Sequence, residues 1–241
     1  VAICERSGAP RWHVLWEGNP VIAHPSELKK IPHTYVTNGT GARPYIVYPF
    51  TRQTGWRYHT AWRARDHVGR LYLTDHDMRL GRSLPSPFVV IEPNAKSDTT
   101  RNKVWSWDRY AAVVEAYPQI QFVQPLHKDS KPLPGVRTVT ASTFREACGV
   151  LAASIGYVGT EGAFHHAARA LHKLAVVVVG GAINWEVLGY PEHLGIVDDG
   201  PDSPCGSWLP CRHCAAALDA ITVDRVVLSL KAFLLPREAV A

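Results

Sequence analysis

Residues 88–235 predict an α/β fold built on a parallel sheet, on three observations. Strand-like and helix-like runs alternate, the connections are short, and several of the strand-like runs are apolar on both faces. "FVVIEPN" (88–94) reads as a buried strand, and "SWDRYAAVVEAYP" (106–118) as an amphipathic helix with Ser106 or Asp108 near its start. "IQFVQPL" (120–126) and "VRTVT" (136–140) are strands, and "STFREACGVLAASI" (142–155) is a helix with Ser142 as its N-cap. "YVGT" (157–160) is a strand, "GAFHHAARALHK" (162–173) a helix and "LAVVVVGG" (174–181) a deeply buried strand. "GIVDD" (195–199) is a last short strand, and residues 222–235 form a closing helix.

Residues 1–85 differ in texture. Short strand-like runs, "HVLW" (13–16), "HTYV" (33–36), "YIVY" (45–48) and "RLYL" (70–73), are interrupted by Pro20, Pro25, Pro32, Pro44 and Pro49. "RQTGWRYHTAWRARD" (52–66) suits a helix, either with a cationic aromatic face or with its Trp residues packed inward. "SLPSP" (83–87) reads as a linker, which sets a boundary near residue 85.

The 241 residues suffice for one sizeable core or two modest ones, and 46% hydrophobic with 20% charged residues excludes a disordered chain. The net charge of +5 is spread along the chain without a Lys/Arg block, so a nucleic-acid partner is not expected, while an anionic ligand such as a nucleotide is compatible. The longest apolar run, Leu174–Val179, is far too short to span a membrane, which leaves peripheral membrane association open. Five cysteines, an odd number, argue against a disulfide scaffold. With no recognisable signal peptide, a cytoplasmic location is expected.

Parallel sheets bind ligands at the carboxyl ends of their strands, and two loops there carry suitable residues. Pro93-Asn94-Ala95-Lys96 leads from a strand into a polar loop holding Lys96, Arg101 and Lys103. These cations suit an anion, or the loop is simply solvated. In "YVGTEGAFHHAARALHKLAVVVVGG" (157–181), Gly162 sits where a strand must turn into a helix. The first amides of that helix lack internal partners and lie at the positive end of the dipole, a seat for a diphosphate. Glu161 could instead satisfy those amides itself, or hold a ribose hydroxyl or a cation.

Two other groups carry metal-type spacing. Asp75-x-Asp77 follows a strand-like run and reads either as a divalent-metal motif or as a helix start. Cys205, Cys211 and Cys214, with His213 inside the last pair and His193 nearby, could complete a closed zinc site. The default reading is reduced loop cysteines packing near the final helix.

"VGTEGAFHHAARALHKLAVVVVGG" resembles the strand-turn-helix of bacterial ADP-heptose:lipopolysaccharide heptosyltransferase-type glycosyltransferases. Their pattern runs roughly Asp-Ser/Thr-Gly-Leu-x-His-x-Ala-Ala-Ala-Leu-Gly, then a hydrophobic strand ending in Gly. Gly162, His165, Ala167, Ala168, Ala170 and Leu171 match in register, and upstream Lys103 and Trp105 fall on a Lys-x-Trp signature. Thr160 stands where the family usually has Asp, Asn94 and His172 where it has Gly, and the family's probable catalytic Asp is unmatched. The resemblance covers residues 88–228.

It implies a GT-B-like α/β fold of two Rossmann-like halves with parallel sheets. Residues 1–85 would be a shortened acceptor-side domain and residues 86–241 the nucleotide-sugar-binding domain. The implied activity is inverting, metal-independent transfer from a nucleotide-diphosphate sugar to a hydroxyl of a glycan or lipopolysaccharide-like acceptor, with no cofactor required. The implied donor-binding residues are Asn94, Lys96, Lys103, Thr160, Glu161, Gly162, His165 and Gly181. Lys103 and the amides around Gly162 would neutralise the leaving diphosphate, each such donor contributing about 2.7–4 kcal/mol. Glu17, in the stretch corresponding to the family's first loop, would be the base that deprotonates the acceptor. The alternative is a non-catalytic nucleotide- or glycan-binding module with a degenerate acceptor domain.

Overall fold

The computed structural model describes residues 1–5, 7–37, 63–95, 101–127, 130–198, 203–207 and 209–233. In chain order the elements are β1 (Ala2–Cys4), β2 (Tyr35–Thr37), α1 (Asp75–Arg82), β3 (Val89–Glu92), α2 (Trp107–Glu115), β4 (Phe122–Leu126), β5 (Arg137–Thr140) and α3 (Phe144–Ala153). They continue as β6 (Gly156–Thr160), α4 (Ala163–Ala170), β7 (Leu174–Val178), α5 (Trp185–Leu188), β8 (His193–Ile196), α6 (Arg212–Ala220) and α7 (Val223–Phe233).

Six strands form one parallel sheet in the order β5-β4-β3-β6-β7-β8. The chain winds outward from β3 in one direction and from β6 in the other, so the switch of direction lies between these two central strands. Alternation along β3 explains the layering. Val89 and Ile91 join a core with Trp105, Tyr110, Val113, Tyr117 and Leu230 on one face. Phe88 and Val90 join Cys148, Leu151, Tyr157, Ala167 and Ala168 on the other. Each fully buried Val, Ile or Leu contributes about 1.5–3 kcal/mol, which makes this doubly covered sheet the body of the molecule.

Local signals set the helix starts. Thr143, rather than Ser142, caps α3: its side chain accepts from the Glu146 amide, while Glu146 accepts from the Ser142 amide at 2.7 Å. The preference follows from reach, because Thr143 stands three residues before the amide it receives. Thr74 and Asp77 form a reciprocal capping box at α1.

The N-terminal segment departs further from expectation. Val14–Trp16 is a 3-10 turn and not a strand, and residues 70–73 form no strand. Tyr35–Thr37 pairs in parallel with β1, a strand at the very start of the chain that the sequence reading passed over. The run at 45–48 and most of 52–66 lie outside the described residues; Ala64–Asp66 is a 3-10 turn. α1 packs on α3 backbone to backbone: a Cβ on Gly149 would overlap the Asp77 carbonyl, and one on Gly81 the Gly149 carbonyl. Two short helices, α5 and α6, were also unforeseen. No described helix is long and apolar enough to cross a membrane.

Candidate functional site: the crevice at the strand switch

The crevice between the carboxyl ends of β3 and β6 is where a doubly wound sheet receives ligands, and Glu92 lies beside Gly159 across it. Lys103 arrives at the end of a 3-10 turn, Arg101–Lys103, that precedes α2. Its Nζ donates to Glu161 Oε2, with side chains only 17% and 5% exposed. The other Glu161 oxygen lies 3.7 Å from His166 Nε2, and His166 Nδ1 is 2.8 Å from the Tyr190 hydroxyl. The His166 ring keeps an open edge, yet burial lowers its pKa, with the Glu161 charge opposing.

α4 starts at Gly162, an N-cap residue with no side chain to cap the helix. Gly162 has extended backbone, and a Cβ added there would meet nothing within 4 Å. Open space therefore fronts a helix N-terminus, beside an ammonium that a carboxylate now holds. An anion entering there would meet both the amides and Lys103.

The structure brings Lys103, Glu161 and Gly162 together. Thr160 closes β6 with its hydroxyl 3.0 Å from that of Tyr110, in the core. Asn94 turns back on its own strand, donating through its amide (2.7 Å) and side chain (2.6 Å) to Glu92. It also accepts from the Lys131 amide at 3.1 Å. Glu92 is buried, which pushes its pKa up to about 7 against the hydrogen bonds from Asn94 and Gln124. Lys96 lies outside the described residues.

His165 is fully buried and stacks on Trp185 (5.3 Å between centroids), against Tyr190 and His193. Among the described residues neither ring nitrogen has a hydrogen-bond partner, and burial holds its pKa far below the usual histidine value. It stands behind His166, with a ring nitrogen within 4.8 Å of a Glu161 carboxylate oxygen but no hydrogen bond to it. Gly181 lies beside the cysteine loop: a Cβ there would stand 2.8 Å from His213 Cε1. Glu17 follows the Val14–Trp16 turn with its carboxylate 3.9 Å from Arg145 Nε and mostly exposed.

Asp75-x-Asp77 is a helix start. Asp77 receives the Thr74 amide and the Arg145 guanidinium (Nη2 to Oδ2, 2.6 Å), while Asp75 turns outward to Arg82. Burial alone would raise the Asp77 pKa, but the bonds from Arg145 and Thr74 overcome it and hold it below the usual range. A metal would have to displace that guanidinium, so the divalent-metal reading falls.

The cysteine loop does converge. Cys205, Cys211, Cys214 and His213 each offer a ligand atom, all within 4.8 Å of one another. Cys211 caps α6, which places Cys214 one turn on, and Cys205 packs back at 3.2 Å from Cys214 Sγ and 3.8 Å from Cys211 Sγ. Sequence reasoning missed three residues of these sites. Asn102 binds the carbonyls of Ser207 (3.0 Å) and Leu209 (2.8 Å) and accepts from the Cys211 amide at 3.2 Å. His166 and Tyr190 complete the crevice. The His165–His166 doublet was the available signal, since neighbours on a helix point about 100° apart and only one can enter the core.

Comparison with solved structures matches this architecture. The chain aligns with the ADP-heptose lipopolysaccharide heptosyltransferase II of E. coli at 20% identity and a TM-score of 0.51, covering 70% of this chain and 54% of that one. It aligns with the dodecameric iron-containing heptosyltransferase TibC of enterotoxigenic E. coli, solved with ADP-D-beta-D-heptose, at 14% identity and a TM-score of 0.52, covering 70% and 49%. A glycosyl transferase family 9 protein from Veillonella parvula gives 11% identity and 0.52, covering 69% and 54%. The fold is that of the heptosyltransferase-type glycosyltransferases. The chain spans about half the length of these relatives. No protein-family model and no curated protein sequence matches it.

Proposed function

We propose that this chain binds the nucleoside diphosphate part of a sugar donor at the switch crevice and serves transfer of the sugar to a hydroxyl acceptor. The observation that carries the reading is the Lys103–Glu161 pair beside the uncapped start of α4. A diphosphate replaces Glu161 as the partner of Lys103 and takes hydrogen bonds from the first amides of the helix. Glu161, released from the ammonium, keeps His166 and gains a ribose hydroxyl.

In transfer, the acceptor oxygen forms a bond to the anomeric carbon, the carbon–oxygen bond to the diphosphate breaks, and the acceptor proton passes to a base. Negative charge grows on the departing diphosphate, where Lys103 and the fixed amides face it, so they stabilise the transition state more than the bound donor. Glu17 remains the base we propose, its carboxylate open to solvent beside Arg145. The residues of the crevice suffice for this chemistry without a metal. Peripheral contact with a membrane-borne acceptor and residence in the cytoplasm belong to the same proposal.

Thermal shift with ADP and a panel of nucleotide-diphosphate sugars tests it. ADP is expected to raise the Tm of the chain and to leave that of Lys103→Ala unchanged. No shift with any nucleotide would overturn the donor site. Binding without transfer or hydrolysis would favour a non-catalytic nucleotide-binding module.

A further inference from the structure

We propose that Cys205, Cys211, Cys214 and His213 hold one tetrahedral metal ion of the zinc type, and that this centre positions Lys103 through Asn102. The second half of this inference rests on Lys103 being the donor-site cation; the metal centre itself does not.

The donor set and its spacing carry the first half. Zinc–thiolate bonds of about 2.3 Å at the tetrahedral angle separate sulfurs by about 3.8 Å. Cys205 and Cys211 stand at 3.8 Å, and Cys205 and Cys214 at 3.2 Å, so the three sulfurs converge on one point. His213 Nδ1 is 3.8 Å from Cys214 Sγ and supplies the fourth corner. The surroundings are those of a ligand set rather than of packed thiols. His213 Nε2 lies 3.1 Å from the Ser203 hydroxyl, which can accept the Nε2 proton when Nδ1 serves as a ligand. The amides of Ser207 (3.5 Å) and Cys214 (3.4 Å) point at Cys205 and Cys211 sulfurs, where negative charge would collect. Gly181 leaves room for the imidazole, and the apolar side chains of Ala182, Ile183, Val187 and Leu188 close the back of the cluster. Binding would release the thiol protons, and three thiolates with one imidazole leave no open position, so the role is structural.

The second half follows from Asn102. Its side chain is 3% exposed and makes all three of its bonds given above to the cysteine loop, one of them from the amide of a ligand residue. Its carbonyl presses on Gly180, where a Cβ would overlap it. Asn102 therefore has its position set by the loop that the metal would close, and Lys103 is the next residue. With the ion removed, the loop loses its cross-link, Asn102 its anchor and Lys103 its fixed place opposite Glu161.

The test has two independent arms. Elemental analysis of the purified chain is expected to give about one zinc per chain, reduced several-fold in Cys211→Ser; cobalt(II) added to chelated protein should bind at one equivalent with a thiolate charge-transfer band. Iron in place of zinc would overturn the choice of ion. No bound metal and no cobalt band, or a mass two hydrogens lighter that reports a disulfide, would overturn the centre. For the coupling, amine-reactive labelling of Lys103, read by peptide mass spectrometry, should rise several-fold on chelation and return on zinc reloading. Asn102→Ala should show the raised labelling while keeping its zinc. Equal labelling of the loaded and chelated chain would overturn the coupling. Because labelling needs no nucleotide, it decides this even where ADP fails to bind.

Discussion

Arg145–Asp77 and Lys103–Glu161 are both ion pairs sunk into the protein, yet they are surrounded very differently. Arg145, 2% exposed at its side chain, spends its fork on both Asp77 oxygens and on the carbonyls of Val14, Glu17 and Tyr72. Asp77 has a second set of bonds in the Thr74 capping box. A planar guanidinium with this many acceptors is saturated and cannot be exchanged for a ligand. Lys103 offers a point charge to Glu161, whose other oxygen looks to a half-open histidine, and the pair borders the vacant front of α4. The first pair joins three segments of backbone; the second stands where an anion can replace one member. Burial and charge alone do not separate a structural pair from a functional one. The saturation of the hydrogen bonds does.

Breaking the first pair should give the largest effect. Arg145→Ala is expected to cost about 3–5 kcal/mol in denaturant unfolding, because Asp77 and three carbonyls are left without their donor. Arg145→Lys should recover little, an ammonium being unable to serve the same fork. Glu92 sharpens the contrast as a buried carboxylate held by neutral donors. Its folded pKa of about 7 exceeds the unfolded value, so the folded state keeps its proton as pH rises while the unfolded state loses it. Its contribution to stability is thus complete below about pH 4.5 and lost on passing through about 7. Glu92→Gln should flatten the stability–pH profile over that window, by up to about 3 kcal/mol.

Lys103→Ala should cost about 1–2 kcal/mol, less than Arg145→Ala, since Glu161 retains His166 and can take a proton. In the same variant, thermal stabilisation by ADP should vanish. The smallest effect on stability is expected for Gly162→Ala, within about 0.5 kcal/mol, because its backbone is extended and its Cβ would meet nothing. Its methyl would nevertheless stand before the helix amides, so the ADP shift should shrink. An unchanged shift would separate Gly162 from the anion seat.

The doubly wound half was legible because its strands are apolar on both faces and its helices on one, two periods that survive any detail of packing. The N-terminal segment was not. "HVLW" has a strand's composition, but it meets no partner strand among the described residues, and its Val14 carbonyl accepts from Arg145, 131 positions away. Within the crevice, Lys103, Glu161 and Gly162 could be read because cations and turn glycines at strand ends have few other uses. Asn102 could not: it looks like any polar loop residue until the cysteine loop folds back over it. His165 matched a motif, and only the fold could show it fully buried, stacked on Trp185 beside Glu161 and His166. The cysteine spacing left packed thiols and a ligand set both open, and only the fold could show Cys205 closing on the other pair.

The Arg145 hub also orders events during synthesis. Val14 and Glu17 leave the ribosome well before the guanidinium that binds their carbonyls, and Tyr72 and Asp77 wait a further 73 and 68 residues for it. Until α3 forms, the first part of the chain has no partner for these groups, and such distant closures come late and slowly. A nascent chain stalled before residue 145 should therefore carry an N-terminal segment open to proteases, and one released after it should not.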